Sequence, residues 1–319
     1  MTKLGPDGVR LPGGTLYSGG MARNPQTPFG TVLTAMVTPF KPEGSVDYEA
    51  VAQLASDLVE LGNDGLVVNG TTGESPTTTD EEKSEILRVV VDTVGDRARI
   101  VAGAGSNDTH HSLELARAAE KAGADGLLLV TPYYNKPPQA GLLAHFTTIA
   151  DATDTPVMLY DIPGRAGVPI RTETLLRLAE HPRIVANKDA KGDPFAAQEV
   201  MARSDMIYYS GDDALNLPLL SVGAVGFVSV IGHLMADRLV EMRSAFLSGE
   251  VEQARAISES MVPVTVGIMT RTQGAIMVKA ALDALGRAGG GPLRLPLLAA
   301  DSEQRQQLAA DLAPAGISL

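Results

Sequence analysis

The chain has 319 residues, with 26 Lys and Arg against 38 Asp and Glu, a formal charge of −12. That balance argues against a nucleic-acid or anionic-membrane binder, both of which need a basic face. The 44% hydrophobic, 20% charged composition is globular, no apolar run approaches the ~20 residues that span a bilayer, and zero cysteines exclude disulfides, thiolate metal sites and a cysteine nucleophile. No basic segment leading into an apolar core opens the chain, so a cytoplasmic protein is expected.

Residues 1–28 read as a tail: Leu11-Pro12-Gly13-Gly14 and Ser18-Gly19-Gly20 break any apolar period, and such a stretch cannot offset its ordering entropy by burial. Beyond it, short runs rich in Val, Leu and Ile recur at 33–37, 65–68, 100–104, 126–130, 157–160, 184–186, 206–209 and 226–230. They lack the alternation of half-solvated strands and read as parallel strands buried on both faces. Between them lie helical patterns. Residues 48–61 place Val51, Leu54, Ala55, Leu58 and Val59 on one face, and 80–94 does the same with Ile86, Leu87, Val90 and Val94 behind a Thr79-Asp80 start suited to an N-cap. Segments 109–122, 139–152, 172–180, 193–203, 214–222 and 234–247 repeat the pattern less cleanly.

Strand–helix alternation of this kind fits an α/β TIM barrel, (β/α)8, over 29–248, or a doubly wound open sheet. The count of eight favours the barrel, as does Thr38-Pro39-Phe40 after the first strand where a dinucleotide fold would carry G-x-G-x-x-G. Residues 249–319 form a C-terminal helical subdomain, with helices at 251–261, 275–285 and 302–312 interrupted by Gly289-Gly290-Gly291-Pro292.

In such barrels the chemistry sits where strands end. The second strand ends in Gly70-Thr71-Thr72-Gly73-Glu74-Ser75, whose hydroxyl and N–H donors suit a carboxylate or oxyanion, or simply bond their own turn. Tyr133-Tyr134 follow the fourth strand. Tyr160 closes the fifth, ahead of Asp161-Ile162-Pro163-Gly164-Arg165. A phenol can relay protons and a guanidinium can hold a carboxylate, although rim packing and a surface ion pair would explain both residues as well.

Of eight lysines, only Lys188 ends a buried strand. Desolvation disfavours an ammonium, and a neutral amine attacks carbonyls to form a Schiff base; the competing reading is a structural bridge to Asp189. After the seventh strand, Asp212-Asp213 could hold magnesium but more readily cap a helix, and the five histidines show no i, i+4 zinc pair. No metal is expected.

Taken together, Gly70-Thr71-Thr72-Gly73-Glu74-Ser75, Tyr133-Tyr134, Tyr160 with Pro163-Gly164-Arg165, Lys188-Asp189-Ala190 and Ser210-Gly211-Asp212-Asp213 resemble the pyruvate-dependent class I aldolases of the dihydrodipicolinate synthase and N-acetylneuraminate lyase family, in order and spacing. The resemblance covers roughly residues 30–319. The paired threonines, paired tyrosines and Ile162-Pro163-Gly164-Arg165 point to the branch that condenses pyruvate with L-aspartate 4-semialdehyde in lysine and diaminopimelate synthesis. A sialic-acid or keto-deoxy-sugar aldolase and a non-catalytic keto-acid binder are the alternatives.

The resemblance implies a lyase in which Lys188 forms the imine with pyruvate and no other cofactor takes part. Tyr160 would shuttle protons, hydrogen-bonded to Thr72 and to a Tyr134 borrowed from a neighbouring subunit of a homotetramer, a dimer of dimers. It further implies that Thr71 and Thr72 hold the pyruvate carboxylate, that Arg165 holds the semialdehyde, and that Gly73 and Val228 complete the substrate-binding set.

Two departures stand out. Asn187 precedes the lysine where the family usually has an aliphatic residue; alternation turns it toward the helices, where its amide is expected to find hydrogen-bond partners. The segment Gly274-Ala275-Ile276-Met277-Val278-Lys279 also lacks an Asn-Pro that many members carry. In lysine-inhibited members an interface pocket carries histidines and a glutamate. Here the matching positions are Asp80, Lys83 and His111, with Ser75, Asn107 and Tyr133 retained, and the Lys83 charge predicts weak or absent lysine inhibition.

Overall fold

The apolar runs form eight parallel strands, hydrogen-bonded in sequence order into a closed barrel. These are β1 (Val32–Ala35), β2 (Gly65–Val68), β3 (Arg99–Gly103), β4 (Gly126–Val130), β5 (Val157–Asp161), β6 (Ile184–Asp189), β7 (Ile207–Ser210) and β8 (Gly226–Ser229). β1 closes on β8 through pairs such as Leu33 with Val228. In this computed structural model residues 27–319 are described, so residues 1–26 of the expected tail lie outside the description.

Helices α1 (Tyr48–Glu60), α2 (Asp80–Val94), α3 (Thr109–Lys121), α4 (Gln139–Asp151), a short α5 (Pro163–Ala166), α6 (Thr172–Leu178), α7 (Pro194–Arg203), α8 (Asn216–Ser221) and α9 (Gly232–Leu247) wrap the barrel. The N-cap read at Thr79 is a full capping box: its hydroxyl accepts from the Glu82 N–H, and the Glu82 carboxylate accepts from the Thr79 N–H. Beyond the barrel come α10 (Val251–Thr265), α11 (Gly274–Ala284) and α12 (Ser302–Leu312). α10 runs on through a π turn at Val266–Thr270, and the glycine-rich stretch near 290 lies in the non-helical link between α11 and α12.

Alternation along the strands divides the apolar residues into two cores. The inner one fills the barrel with Leu33, Ala35, Val67, Val101, Leu128, Met158, Ala186, Tyr209 and Val228, and Tyr160 belongs to it. The outer one lies between strands and helices and continues into α10–α12. Phe29 plugs the floor of the barrel, fully buried, and a side chain at Gly126 would sit 2.3 Å from its ring. Gly65 and Gly226 similarly open β2 and β8 to backbone that passes within 2.5 Å and 2.0 Å of where their Cβ atoms would stand. Only glycine admits that closure, which buries an aromatic side chain at a gain of about 2–3 kcal/mol. The floor is pinned by Asp64, which accepts from the N–H groups of Thr31 and Val32 at 2.7 Å, and by the Tyr209 hydroxyl on the Gly30 carbonyl at 2.9 Å.

Asn187 meets one expectation only in part. The β6 register is as alternation requires, with Lys188 paired to Tyr160 and Tyr209 on the inner side and Asn187 turned outward. The fully buried Asn187 amide does meet the Tyr208 hydroxyl, opposing the rise that burial gives that phenol's pKa, yet neither of its polar atoms reaches full hydrogen-bond geometry. Its neighbours on the outer side of β5 and β6, Asp161 and Asp189, each give one carboxylate oxygen to a backbone N–H, of Ile170 and Lys191, and the second Asp161 oxygen lies 3.3 Å from Lys191 Nζ. A buried amide left short of full hydrogen bonding costs up to about 1–3 kcal/mol. Asn187→Leu should therefore raise the unfolding midpoint by several degrees with activity retained, as followed by calorimetry; a lower midpoint would show that the amide is satisfied.

Candidate active site

β6 carries Lys188 into the barrel near its carboxyl end. The side chain is 5% exposed and its Nζ lies 4.0 Å from the centre of the Tyr160 ring. Desolvation is the main force on the amine and draws its pKa down to about 7; Arg165 adds to the fall and Asp213 opposes it. The structural bridge to Asp189 is not formed, because Asp189 points out of the barrel and accepts from the Lys191 N–H at 3.0 Å. Gly211 makes room for the lysine: a Cβ there would stand 2.8 Å from its Cγ and 2.9 Å from its Cε.

Tyr160, on the neighbouring strand, is almost fully buried, and burial lifts its phenol to about 12. At neutral pH it is a proton donor next to an amine that is about half deprotonated. The hydroxyl that reaches it within the chain is that of Thr71. This corrects the expected link through Thr72, whose side chain is buried one residue further along the turn. Thr71, Tyr160 and Arg165 share a cavity of about 390 Å³ at the carboxyl ends of β2–β5, with Gly70, Ser75, Tyr133 and Ile162 among its other walls. Arg165 stands on the short α5 at the rim, exposed to solvent.

The remaining candidates are distributed around this centre. Gly73 is buried in the turn, its carbonyl accepting from the Thr38 hydroxyl at 2.7 Å. Val228 belongs to the inner core on β8. Tyr134 is not drawn into the site of its own chain: it is 89% exposed, in a left-handed backbone conformation at φ +73°. Asp212 is the cap read from the sequence, accepting from the Ala214 N–H at 3.0 Å. Asp213 is instead buried, accepting from the Ser229 hydroxyl, the Val230 and Ile231 N–H groups and the Asn216 amide, so it ties the ends of β7 and β8 together.

Lys83, expected to charge the regulatory position, is folded inward. Its Nζ donates to the Thr78 carbonyl at 2.5 Å and lies 3.7 Å from Asp80, while His111 meets Asp80 at 2.9 Å. Sequence reasoning missed Glu74, Lys279 and Arg294, which meet behind the threonine turn; 205 residues separate the first two, and no local pattern joins them.

The profile of the Dihydrodipicolinate synthetase family matches residues 28–315. The chain is 61% identical over 295 residues to 4-hydroxy-tetrahydrodipicolinate synthase 2 of Streptomyces coelicolor, covering 92% of this chain and 98% of that protein. The crystal structure of a dihydrodipicolinate synthase from Bacillus anthracis superposes with a TM-score of 0.86 at 44% identity, covering 89% and 98% of the two chains. The synthase of Cyanidioschyzon merolae, crystallised with lysine bound, superposes with a TM-score of 0.88 at 44% identity over 91% and 99%.

A lysine held near 7 has a checkable signature. Reductive methylation of Lys188, followed by peptide mass mapping, should rise with pH through a midpoint near 7, because the amine reacts only when deprotonated. A midpoint near 10, the ordinary lysine value, would contradict the assignment.

Proposed function

The chain belongs to the dihydrodipicolinate synthetase family, and on that premise we propose how its residues condense pyruvate with L-aspartate 4-semialdehyde. The reading rests above all on one observation: a desolvated amine, Lys188, held against a protonated phenol, Tyr160.

Neutral Nζ of Lys188 attacks the ketone carbon of pyruvate. The carbinolamine loses its oxygen as water, with Tyr160 supplying a proton, and the imine forms. The adjacent methyl group gives up a proton to leave the enamine, whose carbon attacks the aldehyde carbon of the semialdehyde; the aldehyde oxygen gains a proton and becomes the hydroxyl. The amino group of the semialdehyde portion then adds to the imine carbon, closes the ring and expels Lys188 as the free amine. One water leaves in total and no redox step occurs, so the balance requires no cofactor beyond the lysine.

Thr71 and Thr72 would hold the pyruvate carboxylate with hydroxyl and N–H donors. These suffice because the imine is itself positive and close by. Gly73 shapes that turn and Val228 lines the inner barrel beneath. Arg165, exposed at the rim of the cavity, suits the carboxylate of the incoming semialdehyde. A sugar acceptor would instead call for several groups that bond hydroxyls.

Tyr134 completes the relay only if it enters a neighbouring subunit. Its exposure and left-handed backbone support that role, since a large aromatic side chain in a strained conformation is held for a purpose outside its own chain. Through Thr71 it would connect to Tyr160, in a homotetramer built as a dimer of dimers. Among the described residues no helix is long and apolar enough to cross a membrane, which suits a biosynthetic enzyme of the cytoplasm.

Borohydride reduction with labelled pyruvate should add one pyruvate-derived mass to the peptide carrying Lys188 and none in Lys188→Ala; labelling of another peptide would remove the proposed nucleophile. A mixing experiment tests the shared tyrosine. Tyr134→Phe and Lys188→Ala homo-oligomers, each nearly inactive, should regain activity when dissociated and reassociated together, because some sites then pair an intact lysine with an intact partner tyrosine. Mixtures no more active than their parents would place Tyr134 outside the reaction.

A further inference from the structure

The carboxylate of Glu74 is buried and held at both oxygens next to the threonine turn, yet it is not among the walls of the cavity. Glu74 leaves the threonine turn in a left-handed conformation, φ +57°, with its side chain 1% exposed. One oxygen accepts from Lys279 Nζ at 2.7 Å and the other from the Arg294 N–H at 2.9 Å. Lys279, on α11, is completely buried. It also donates to the Pro292 carbonyl at 2.8 Å and stands 4.4 Å from the centre of the Phe40 ring.

The rest of the chain around that ion pair is equally constrained. Arg294 covers the same ring, donates to the Thr77 and Gly44 carbonyls, and makes a two-pronged bond to Glu82 at 2.6 and 2.5 Å. The Glu74 N–H closes the turn onto the Thr71 carbonyl at 3.2 Å, and the Ser75 N–H onto that of Gly70 at 3.3 Å.

A buried ion pair is a poor way to gain stability. Apolar side chains of similar volume commonly do as well or better, whereas loss of one partner strands a charge. What a pair with fixed bond directions supplies is position. We propose that Glu74 and Lys279 form a positioning device through which the C-terminal helices set the geometry of the Thr71–Thr72 turn, and with it the grip on the keto-acid carboxylate. Neither residue is catalytic; each acts through the threonines. The inference deepens the functional reading above and rests on it for the identity of the acid.

Three variants, Glu74→Gln, Lys279→Met and the double Glu74→Met/Lys279→Met, are to be compared for unfolding midpoint, oligomeric state, kcat and the KM for pyruvate. The Lys279→Met single variant should unfold well below the parent because it leaves a carboxylate buried alone. The double variant, with no stranded charge, should recover most of the midpoint yet keep a pyruvate KM raised roughly tenfold or more, with kcat changed less, since misplacement of the anion donors weakens ground-state and transition-state binding alike. A double variant with parental pyruvate KM would overturn the proposal and leave the pair a matter of stability alone. Should the double variant not fold, the isosteric Glu74→Gln decides: a raised pyruvate KM in an intact oligomer supports the device, and an unchanged one sinks it. Labelled pyruvate trapped at Lys188 in every folded variant keeps this outcome separate from a failure of the imine mechanism itself.

Discussion

The removal of one ammonium group from water organises this molecule. Lys188 lies within a barrel whose interior is otherwise filled by Val, Leu, Met, Ala and aromatic side chains, so its charged form is penalised and its pKa falls from 10.5 to about 7. At about 1.4 kcal/mol for each unit of pKa, the folded state bears a cost on the order of 5 kcal/mol near neutrality. The sign follows from the unfolded chain binding the proton more tightly. This group lowers stability increasingly as pH falls from about 10 toward 7, and below that the penalty is constant because the lysine is charged in both states. The return is a nucleophile that is substantially neutral at physiological pH.

That cost is borne by a scaffold sealed at its floor and tied together at its carboxyl end. The floor is sealed by Phe29 over strand-opening glycines. At the other end, Asp213 draws the ends of β7 and β8 together with four hydrogen-bond donors, and its carboxyl group opposes the fall in the Lys188 pKa. Gly211 leaves the lysine its space. Opposite, Arg165 pushes the other way, lowering both Lys188 and Tyr160. The two reacting groups thus owe their protonation states to the same dry interior acting in opposite directions: burial drives the lysine neutral and keeps the phenol protonated.

The threonine turn shows a different economy. Nothing in the hydroxyls themselves selects an orientation, yet the turn is bounded on one side by Thr38, which donates to the Gly73 carbonyl, and on the other by the Glu74 carboxylate anchored to α11 and the segment after it. The helices beyond β8 therefore reach the site through charge and hydrogen bonds as well as through the outer apolar core they share with the barrel.

The strands were legible because parallel strands covered on both faces must be apolar throughout, and the helices because one face alone meets the core. Lys188 was legible for the complementary reason: a lysine ending such a strand has no wet side to turn to. The two hydroxyls of Thr71 and Thr72 were not separable in this way. They are adjacent in a turn without regular alternation, so which of them meets Tyr160 depends on how the turn is seated. The outward role of Tyr134 came from the family resemblance and not from its local residues, since its backbone conformation is decided by the loop around it.

By itself the sequence placed the strands and helices, favoured a barrel over an open sheet and displayed the chemical types at the strand ends, all carried by local periodicity and by residues a few positions apart. Only the tertiary structure decided that Asn187 would be buried against Tyr208, that Thr71 rather than Thr72 would stand beside Tyr160, and that Glu74 would meet Lys279. Each of these depends on what a side chain faces across space, and two residues 205 positions apart leave no mark on one another until the chain has closed around them.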